Sequence, residues 1–437
     1  KLGRTMRLWL LAALSLVPAV FCHTINYEVA GAIPDDSSTQ TAWKNGALLN
    51  STLAFLEPGD TLLIPNKTFH LMGGIIASNL ESVVIQIDGT LSFSDDMKEW
   101  PRRSDGKNAP VLECLQFNNM SNVTFSSSQR HGGMLDGNGA TWWGIPGIGY
   151  LEREENRPRL LNIGHSRDLL IENLILKNSP YWTFWVYNVD GLEVRWTDIS
   201  ARRTSWDEHD VIDMTAFNTD GFDVTGRNVW IHDCNVWNQD DSIAVKDGSE
   251  NMLFERINAS GVGLTIGSIG GSVVRNITFR DCYMHNTFKG IYMKFRGGDS
   301  PGLIADVLYE NIVMDEPEQW AIWIGPAQQS DSRDLCAAHP CSLCWPEIPL
   351  SKCTAPASGS YRNITLRNVV VNNPKKSPGV LLGSSANPMQ NVIFDNVQVQ
   401  GGKHKPWGTK YYDCQNVQGV ATGKTSPVPP CFKDLTT

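Results

Sequence analysis

The sequence predicts an all-β fold, a single-domain parallel β-helix (solenoid) with a short N-terminal capping helix. The main observation is a recurring phrase, an apolar strand centred on Asn or Asp and followed by a second apolar pair. It occurs at Leu169–Ile175, Val229–Val236, Val274–Cys282, Val307–Val313, Ile364–Val370 and Val392–Val397. Neighbouring copies without insertions are about 23–30 residues apart, and no helical stripe separates them. A β-sandwich, the alternative, would show alternation and hairpin turns instead.

Each element of this prediction has its own basis. Asp35–Ser38 supplies helix N-cap candidates within residues 24–50, and Thr41–Leu49 carries a weak apolar stripe. This helix would cover one end of the core, as terminal elements of solenoids must. From Thr61 the pattern changes to short β-rich runs. The repeated Asn or Asp should stack coil on coil and bind backbone groups of the turns.

Residues 326–360 interrupt the period and read as a Cys-rich insertion. Its cysteines are Cys336, Cys341, Cys344 and Cys353. Short-spaced cysteines in a secreted chain suggest disulfides, whereas a zinc knuckle is the alternative, with His339 as the nearby histidine. No linker divides the chain, so residues 23–437 are expected to form one domain.

The N-terminus predicts secretion. Residues 1–22 read as a signal peptide, because Met6-Arg7 precedes an apolar core, Leu8–Phe21, that is too short to span a bilayer. Asn-X-Ser/Thr sequons agree with an extracellular location; they lie at Asn50, Asn66, Asn119, Asn122, Asn258, Asn276 and Asn363. If Cys22 leaves with the signal peptide, nine of the 10 cysteines remain, which predicts one free thiol.

The formal net charge of −9 argues against binding nucleic acid through a basic surface. A locally basic cleft on an acidic protein can still bind an anionic polymer. No later stretch is long and apolar enough to cross a membrane, and we expect a monomer.

Candidate catalytic residues lie in Asn218-Thr219-Asp220 and Asn238-Gln239-Asp240-Asp241. In a β-helix the two segments would lie one rung apart, about 4.8 Å. Asp240 and Asp241 can share a surface only at a bulge or turn. Carboxylates roughly 6.5–9.5 Å apart suit inverting glycoside hydrolysis. Acidic residues also end strands in ordinary turns, which is the alternative for any one of them.

The chain resembles glycoside hydrolase family 28, the polygalacturonases and their relatives. The resemblance covers nearly all of the mature chain and rests on an ordered series of motifs. These are Gly133–Trp143, Arg157-Pro158, Asn178–Trp182, Asn218–Asp223, Asn238–Asp241, Gly261–Ser268 and Tyr292–Lys294. It implies a right-handed parallel β-helix that acts on pectic, galacturonan-type polysaccharide.

The resemblance also implies residue roles. Asp240 would be the general acid, and Asp220 and Asp241 would hold and deprotonate a water. Lys294 matches the lysine that binds a substrate carboxylate, and Asn218 would join it in binding substrate. No metal and no cofactor is implied.

Two departures affect the expected substrate. Val262 replaces the family's histidine, and Tyr292, itself a candidate substrate-binding residue, replaces its arginine. Arg296, on the same strand face as Lys294, either replaces the missing guanidinium or is a solvated rim residue. The family's cysteine after the Asp pair is Ser242 here, so that disulfide is absent. Plain polygalacturonate is therefore an uncertain substrate.

Tryptophans offer further candidates. We expect Trp142 and Trp143 to pack under the cleft wall and Trp320 and Trp323 to form sugar-stacking platforms. The first functional hypothesis is a secreted inverting glycoside hydrolase that cleaves pectic polysaccharide. The alternatives are an altered family member acting on another acidic or decorated glycan, a non-catalytic carbohydrate-binding β-helix, and a polysaccharide lyase.

Overall fold

The computed structural model describes residues 22–106, 109–144, 156–205, 213–329, 341–348, 351–403, 405–408 and 412–436. They form a right-handed parallel β-helix in which strands of successive coils pair in parallel and in register. The predicted signal peptide falls almost wholly outside the described residues, which begin at its last position, Cys22. Among the helices that the structure describes, none is both long and apolar enough to cross a membrane.

The first half of the chain contains short strands. They are β1 (Thr24–Asn26), β2 (Thr61–Ile64), β3 (Thr68–Leu71), β4 (Ile75–Ser78), β5 (Val84–Ile87), β6 (Thr90–Phe93), β7 (Leu115–Asn118), β8 (Ser121–Ser126), β9 (Gly133–Asp136), β10 (Leu161–Gly164), β11 (Arg167–Glu172), β12 (Leu174–Lys177), β13 (Phe184–Arg195) and β14 (Asp198–Ser200). Short 3-10 helices span Gly139–Thr141 and Asp213–Ala216.

The second half contains long strands of 11–16 residues together with shorter ones. They are β15 (Phe222–Trp237), β16 (Asp241–Val245), β17 (Glu250–Ser260), β18 (Gly263–Ile269), β19 (Val273–His285), β20 (Ile291–Phe295), β21 (Gly302–Asp315), β22 (Ile322–Pro326), β23 (Gln328–Gln329), β24 (Cys341–Ser342), β25 (Gly359–Asn372), β26 (Gly379–Leu382), β27 (Met389–Gln400), β28 (Asp413–Gln415), β29 (Val417–Gly423) and β30 (Phe432–Thr436).

Helix α1 (Thr39–Ala54) confirms the predicted N-terminal helix and extends beyond its apolar stripe. The Ser38 hydroxyl caps it by accepting a hydrogen bond from the Thr41 backbone N–H at 3.3 Å. Buried Ala42, Leu49 and Leu53 face the core beside β3 and β4. The helix thereby covers apolar side chains that the first coils would otherwise expose.

The recurring Asn or Asp has a structural explanation. Asn311, Asn368 and Asn396 all adopt the left-handed backbone conformation, with φ between 51° and 58°, which bends the strand. Their side chains form a ladder in which Asn396 donates to Asn368 at 3.1 Å and Asn368 to Asn311 at 3.0 Å. Asn311 in turn donates to Asp281 at 2.8 Å. The period in the sequence is therefore the period of this ladder.

The interior is filled by stacked apolar side chains from successive coils. Phe254, Phe279 and Tyr309 form one continuous stack, with ring centroids 4.8 and 4.5 Å apart. Tyr309 is fully buried and donates its hydroxyl to the Leu264 carbonyl at 3.0 Å. In-register stacking thus extends from the backbone to the core.

The chain leaves the regular coil after β22 and returns to it at β25. This excursion contains the Cys341–Cys353 disulfide, and Cys344 is also disulfide-bonded, which agrees with a disulfide-pinned insertion rather than a zinc knuckle. Cys336 and His339 lie outside the described residues. A further disulfide joins Cys414 to Cys431.

The expectation of one free thiol is wrong. Besides exposed Cys22, the described residues include free Cys114, Cys234 and Cys282, and these three are buried. Each lies in the apolar interior, where a thiol packs as a small hydrophobic group.

The ladder predicts a stability effect. Asn311→Ala should lower the free energy of unfolding by about 1–3 kcal/mol, because it removes ladder hydrogen bonds and places a β-carbon in a left-handed conformation. Asn311→Gly loses the same bonds but tolerates the backbone angle, so it should lower the free energy less. Guanidinium denaturation of both variants checks this, and equal stability of Asn311→Ala and the parent would contradict it.

Candidate active site

The candidate site lies on one sheet of the β-helix, which we call the site face. It consists of the first residues of β13 and β15 together with β16, β18, β20 and β22. A single row of register partners crosses it: Trp185, Asp223, Ala244, Thr265, Tyr292 and Trp323. Residues far apart in sequence are therefore brought onto one continuous surface.

The structure brings Asp220, Asp240 and Asp241 together. One carboxylate oxygen from each lies within 4.8 Å of the others. Asp220 ends the loop before β15, and Asp241 begins β16, where a register shift against β18 interrupts the ladder. These oxygens are closer than the roughly 6.5–9.5 Å predicted from inverting hydrolysis. The reason is that Asp240 and Asp241 are neighbours beside this irregularity and Asp220 lies one rung away.

Asn238 holds the turn that presents the aspartates. Its side-chain N–H groups donate to the carbonyls of Thr219, Asp240 and Asp241, each at 3.0 Å. It is fully buried, as is Thr219. The Asn-Gln-Asp-Asp segment therefore has an amide that locks its own backbone to the preceding rung.

Lys294 contacts a carboxylate of the chain itself. Its Nζ lies 2.9 Å from Oδ2 of Asp241, while the Thr265 hydroxyl donates to Oδ1 at 2.8 Å. Burial disfavours the charged form of Lys294, but the neighbouring Asp241 outweighs it and the pKa of this lysine is raised. Asp241 thus has a cationic and a neutral donor on its two oxygens.

Asn218 contacts Asp240, the most exposed of the three aspartates. Its Nδ2 donates to Asp240 Oδ2 at 3.1 Å, and its Oδ1 accepts from Arg157 at 3.1 Å. Since arginine can only donate, Arg157 fixes the orientation of the amide. The backbone N–H of Asp241 donates to the other oxygen of Asp240 at 2.9 Å. Asn218, predicted to bind substrate, orients Asp240 here.

The site contains a carboxylate and a lysine for which the sequence analysis predicted no role. Asp223 is fully buried, and Lys246 Nζ lies 3.2 Å from its Oδ1 and 3.8 Å from Oδ2 of Asp220. The register between neighbouring rungs is the signal that could have identified Asp223 and Lys246. Asp223 pairs with Ala244, so Lys246, two residues further along the chain, lies close to Asp223 and Asp220. Sequence spacing alone does not reveal that register.

The other predicted binding residues lie apart from the carboxylates. Tyr292 is 2% exposed; its hydroxyl accepts from the Gln328 backbone at 3.3 Å and its ring meets Trp323 edge-on. Arg296 is half-exposed and pairs with Asp247 at 2.7 Å. In the described contacts Arg296 reaches none of the three aspartates, which favours the rim interpretation.

The tryptophan predictions have mixed outcomes. Trp142 and Trp143 are buried, as expected. Trp320 and Trp323 are also buried, so the expected stacking platforms are wrong there; both pack against Trp345 from the excursion. Partly exposed indole rings are instead Trp185, on the site face, and Trp182, just before β13. The Arg159 guanidinium lies 4.3 and 4.4 Å from their respective ring centroids.

The carboxylates are electrostatically crowded. Burial first, and then the neighbouring Asp223 and Asp240, raise the pKa of Asp220 well above its usual range. Burial and Asp241 raise the pKa of Asp240, and burial raises that of Asp223 to about 6 despite Lys246. Four carboxylates face two ammonium groups, Lys246 and Lys294, so retention of a proton by the cluster is favoured. Such a cluster can donate a proton and accept one.

The chain is similar to a family of known proteins. The family model for glycosyl hydrolases family 28 matches residues 59–426. An endopolygalacturonase of Emericella nidulans is 28% identical over 355 residues, 80% of each chain. An exopolygalacturonase of Cochliobolus carbonum is 24% identical over 430 residues, 93% of this chain and 86% of the relative. The solved exopolygalacturonase of Thermotoga maritima has a TM-score of 0.66 at 17% identity, over 91% of this chain and 90% of that one.

The crowded carboxylates predict an unusual dependence of stability on pH. Since the pKa values of Asp220, Asp223 and Asp240 are raised in the folded state, that state binds more protons than the unfolded one, and stability should increase as pH falls. For Asp223 this change lies between its usual pKa of 3.8 and about 6. Asp223→Asn should therefore flatten the rise in melting temperature between pH 7 and 5. Exposed Asp105→Asn is the control, and identical profiles for both variants would contradict the prediction.

Proposed function

The chain belongs to family 28 of the glycosyl hydrolases, and from this premise we propose that it hydrolyses pectic, galacturonan-type polysaccharide by an inverting mechanism. The observation that carries the proposal is the meeting of Asp220, Asp240 and Asp241 oxygens within 4.8 Å, backed by Lys294. The curated relatives, an endopolygalacturonase and an exopolygalacturonase, support the same substrate class. We propose a secreted, extracellular monomer.

Asp240 is the proposed general acid. It is more exposed than Asp220 and Asp241. Its pKa is raised by burial and by Asp241, which favours the protonated form that a general acid needs. Asn218 and the Asp241 backbone fix its carboxyl orientation. The proton moves from Asp240 to the glycosidic oxygen as the C–O bond breaks.

Asp220 and Asp241 are the proposed partners of the attacking water. Oδ1 of Asp220 is buried and has no hydrogen-bond partner among the described residues, so it can accept a bond from that water. Lys294 and Thr265 stabilise negative charge on Asp241. The water gives one proton to this pair as its oxygen bonds to the anomeric carbon, and the cluster later returns a proton to Asp240.

A mixed or decorated pectic backbone is the proposed substrate. Val262 and Tyr292 supply neither of the cations that the family motif has at these positions, and Arg296 is paired with Asp247. Trp185 lies one rung from Asp223, Trp182 lies just before β13, and both offer partly exposed indole rings to a less polar sugar unit. A galacturonate backbone with xylose, rhamnose or partial methyl-ester decoration suits a site that has fewer cations for carboxylates and aromatic rings for a less polar unit.

Asp240→Asn should reduce kcat by about 10²–10⁴-fold with the fold retained, because an amide of the same shape cannot donate the acid proton. Rates on the best pectic substrate and the circular dichroism spectrum measure both effects. Asp190→Asn, at an exposed ion pair on another face, is the matched control. An Asp240→Asn variant with the parent rate would exclude Asp240 as the acid.

A panel of pectic polymers tests the substrate class. We expect weak activity on de-esterified polygalacturonate and higher kcat/KM on partly esterified or xylose-substituted galacturonan. Proton NMR of the first product should show the inverted anomer before mutarotation, since water attacks without a covalent intermediate. Retention of the anomeric configuration would contradict the inverting mechanism. Equal rates on plain and decorated polymers would contradict the substrate preference.

A further inference from the structure

Lys289 is a buried lysine next to the site, and the proposed mechanism gives it no role. Gly290 separates it from the start of β20, and it is 6% exposed. Lys246 and Lys294 both pair with aspartates, whereas Lys289 forms no ion pair among the described residues. Its Nζ donates to the neutral Gln319 side chain at 2.8 Å. A buried ammonium with one neutral acceptor has capacity for an anionic partner.

The position of Lys289 connects it to the two departures from the family motif. Its backbone N–H donates to the Val262 carbonyl at 3.0 Å, so it lies one coil beyond that valine. Its Nζ lies 4.8 Å from the centre of the Tyr292 ring, and Lys294 Nζ lies 4.2 Å from the same ring. Two ammonium groups therefore flank the tyrosine that replaces an arginine.

The electrostatics around Lys289 are those of an anion-binding position. Burial and the charge of Lys294 lower the pKa of Lys289 to about 7, while Asp241 and Asp240 favour its charged form. An arriving carboxylate would stabilise that charge and relieve the repulsion between the lysines.

Gln319 positions this lysine. Its backbone N–H donates to the Phe288 carbonyl at 2.8 Å, which fixes Gln319 one coil beyond the segment that contains Lys289. The side chain then meets Nζ from that side. The ammonium is thereby held over Tyr292 and does not extend freely into solvent.

We propose that Lys289 is a specificity-determining residue that binds the carboxylate of an acidic sugar unit, replacing the cationic contacts absent at Val262 and Tyr292. This inference rests on the proposed function, because it assumes that the site receives a galacturonate-type unit. The cation then comes from the segment just before β20 instead of from position 262 or 292. The contact is non-covalent, and the charge of the bound unit determines its strength.

Calorimetric binding of trigalacturonate and of its methyl ester tests the proposal, with Asp240→Asn as the non-hydrolysing parent. Adding Lys289→Met should weaken the binding of trigalacturonate by about 10- to 100-fold, since a hydrogen bond to a charged group is lost. Binding of the ester should stay within about twofold of the parent. Exposed Lys433→Met is the matched control and should change neither.

The pH dependence separates a binding role from a structural one. Lys289 is charged below its pKa, so parent affinity for trigalacturonate should fall as pH rises through about 7. The step should disappear in Lys289→Met and move to higher pH in Lys289→Arg. Equal weakening of acid and ester, or an unchanged step in Lys289→Met, would overturn the proposal.

Two further outcomes keep this proposal distinct from the proposed function. If the parent binds trigalacturonate through Lys289 but the wild type cleaves no pectic polymer, the hydrolase proposal fails and the lysine stands. If the wild type cleaves such polymers and Lys289→Met binds the acid normally, only the lysine proposal fails. If Lys289→Met does not fold, Gln319→Leu is measured instead and should weaken the binding of trigalacturonate more than that of its methyl ester. An equal loss of affinity for the acid and the ester in Gln319→Leu would overturn the proposed role of Lys289.

Discussion

In-register parallel stacking of coils is the constraint on which the rest of the structure depends. Neighbouring strands must lie about 4.8 Å apart to satisfy their hydrogen bonds, so each side chain has a partner directly above and below it. Asparagines form ladders under this rule, and aromatic rings form continuous stacks. Applied to Asp220 and the Asp240–Asp241 pair, the same rule forces carboxylates together. The fold thus supplies the proximity, and local hydrogen bonds supply the orientation.

Burying several carboxylates together costs free energy through desolvation and mutual repulsion. Lysines on neighbouring rungs offset this cost by forming ion pairs with them. Lys246 serves Asp220 and Asp223, while Lys294 serves Asp241. Removing one partner of a buried ion pair is more costly than never having formed it. The carboxylates and lysines are therefore a coupled unit, and the raised pKa values of Asp220, Asp223 and Asp240 favour retention of a proton by it.

The sequence predicted features that repeat or that lie in one short segment. The solenoid follows from the recurring Asn or Asp, and helix α1 follows from its cap and apolar stripe. The proximity of the three aspartates follows from the spacing of the two segments 218–220 and 238–241. It could not predict features that depend on rung register or on irregular segments. Lys246 and Asp223 meet across a rung, and the Lys289 backbone bonds to Val262 across a rung. Trp320 and Trp323 are buried by residues of an excursion, whose path no period describes.

The indole cluster behind Tyr292 has a consequence for how such a protein can diversify. Trp320 and Trp323 belong to the regular coil, whereas Trp345 comes from the excursion and Trp407 from a later segment, and all four pack together. The part of this cluster that Trp345 and Trp407 supply therefore comes from appendages outside the regular coil. Lengthening or exchanging such appendages leaves every hydrogen-bonded rung intact. Ligand preference can then drift over generations while the reactive carboxylates keep their places.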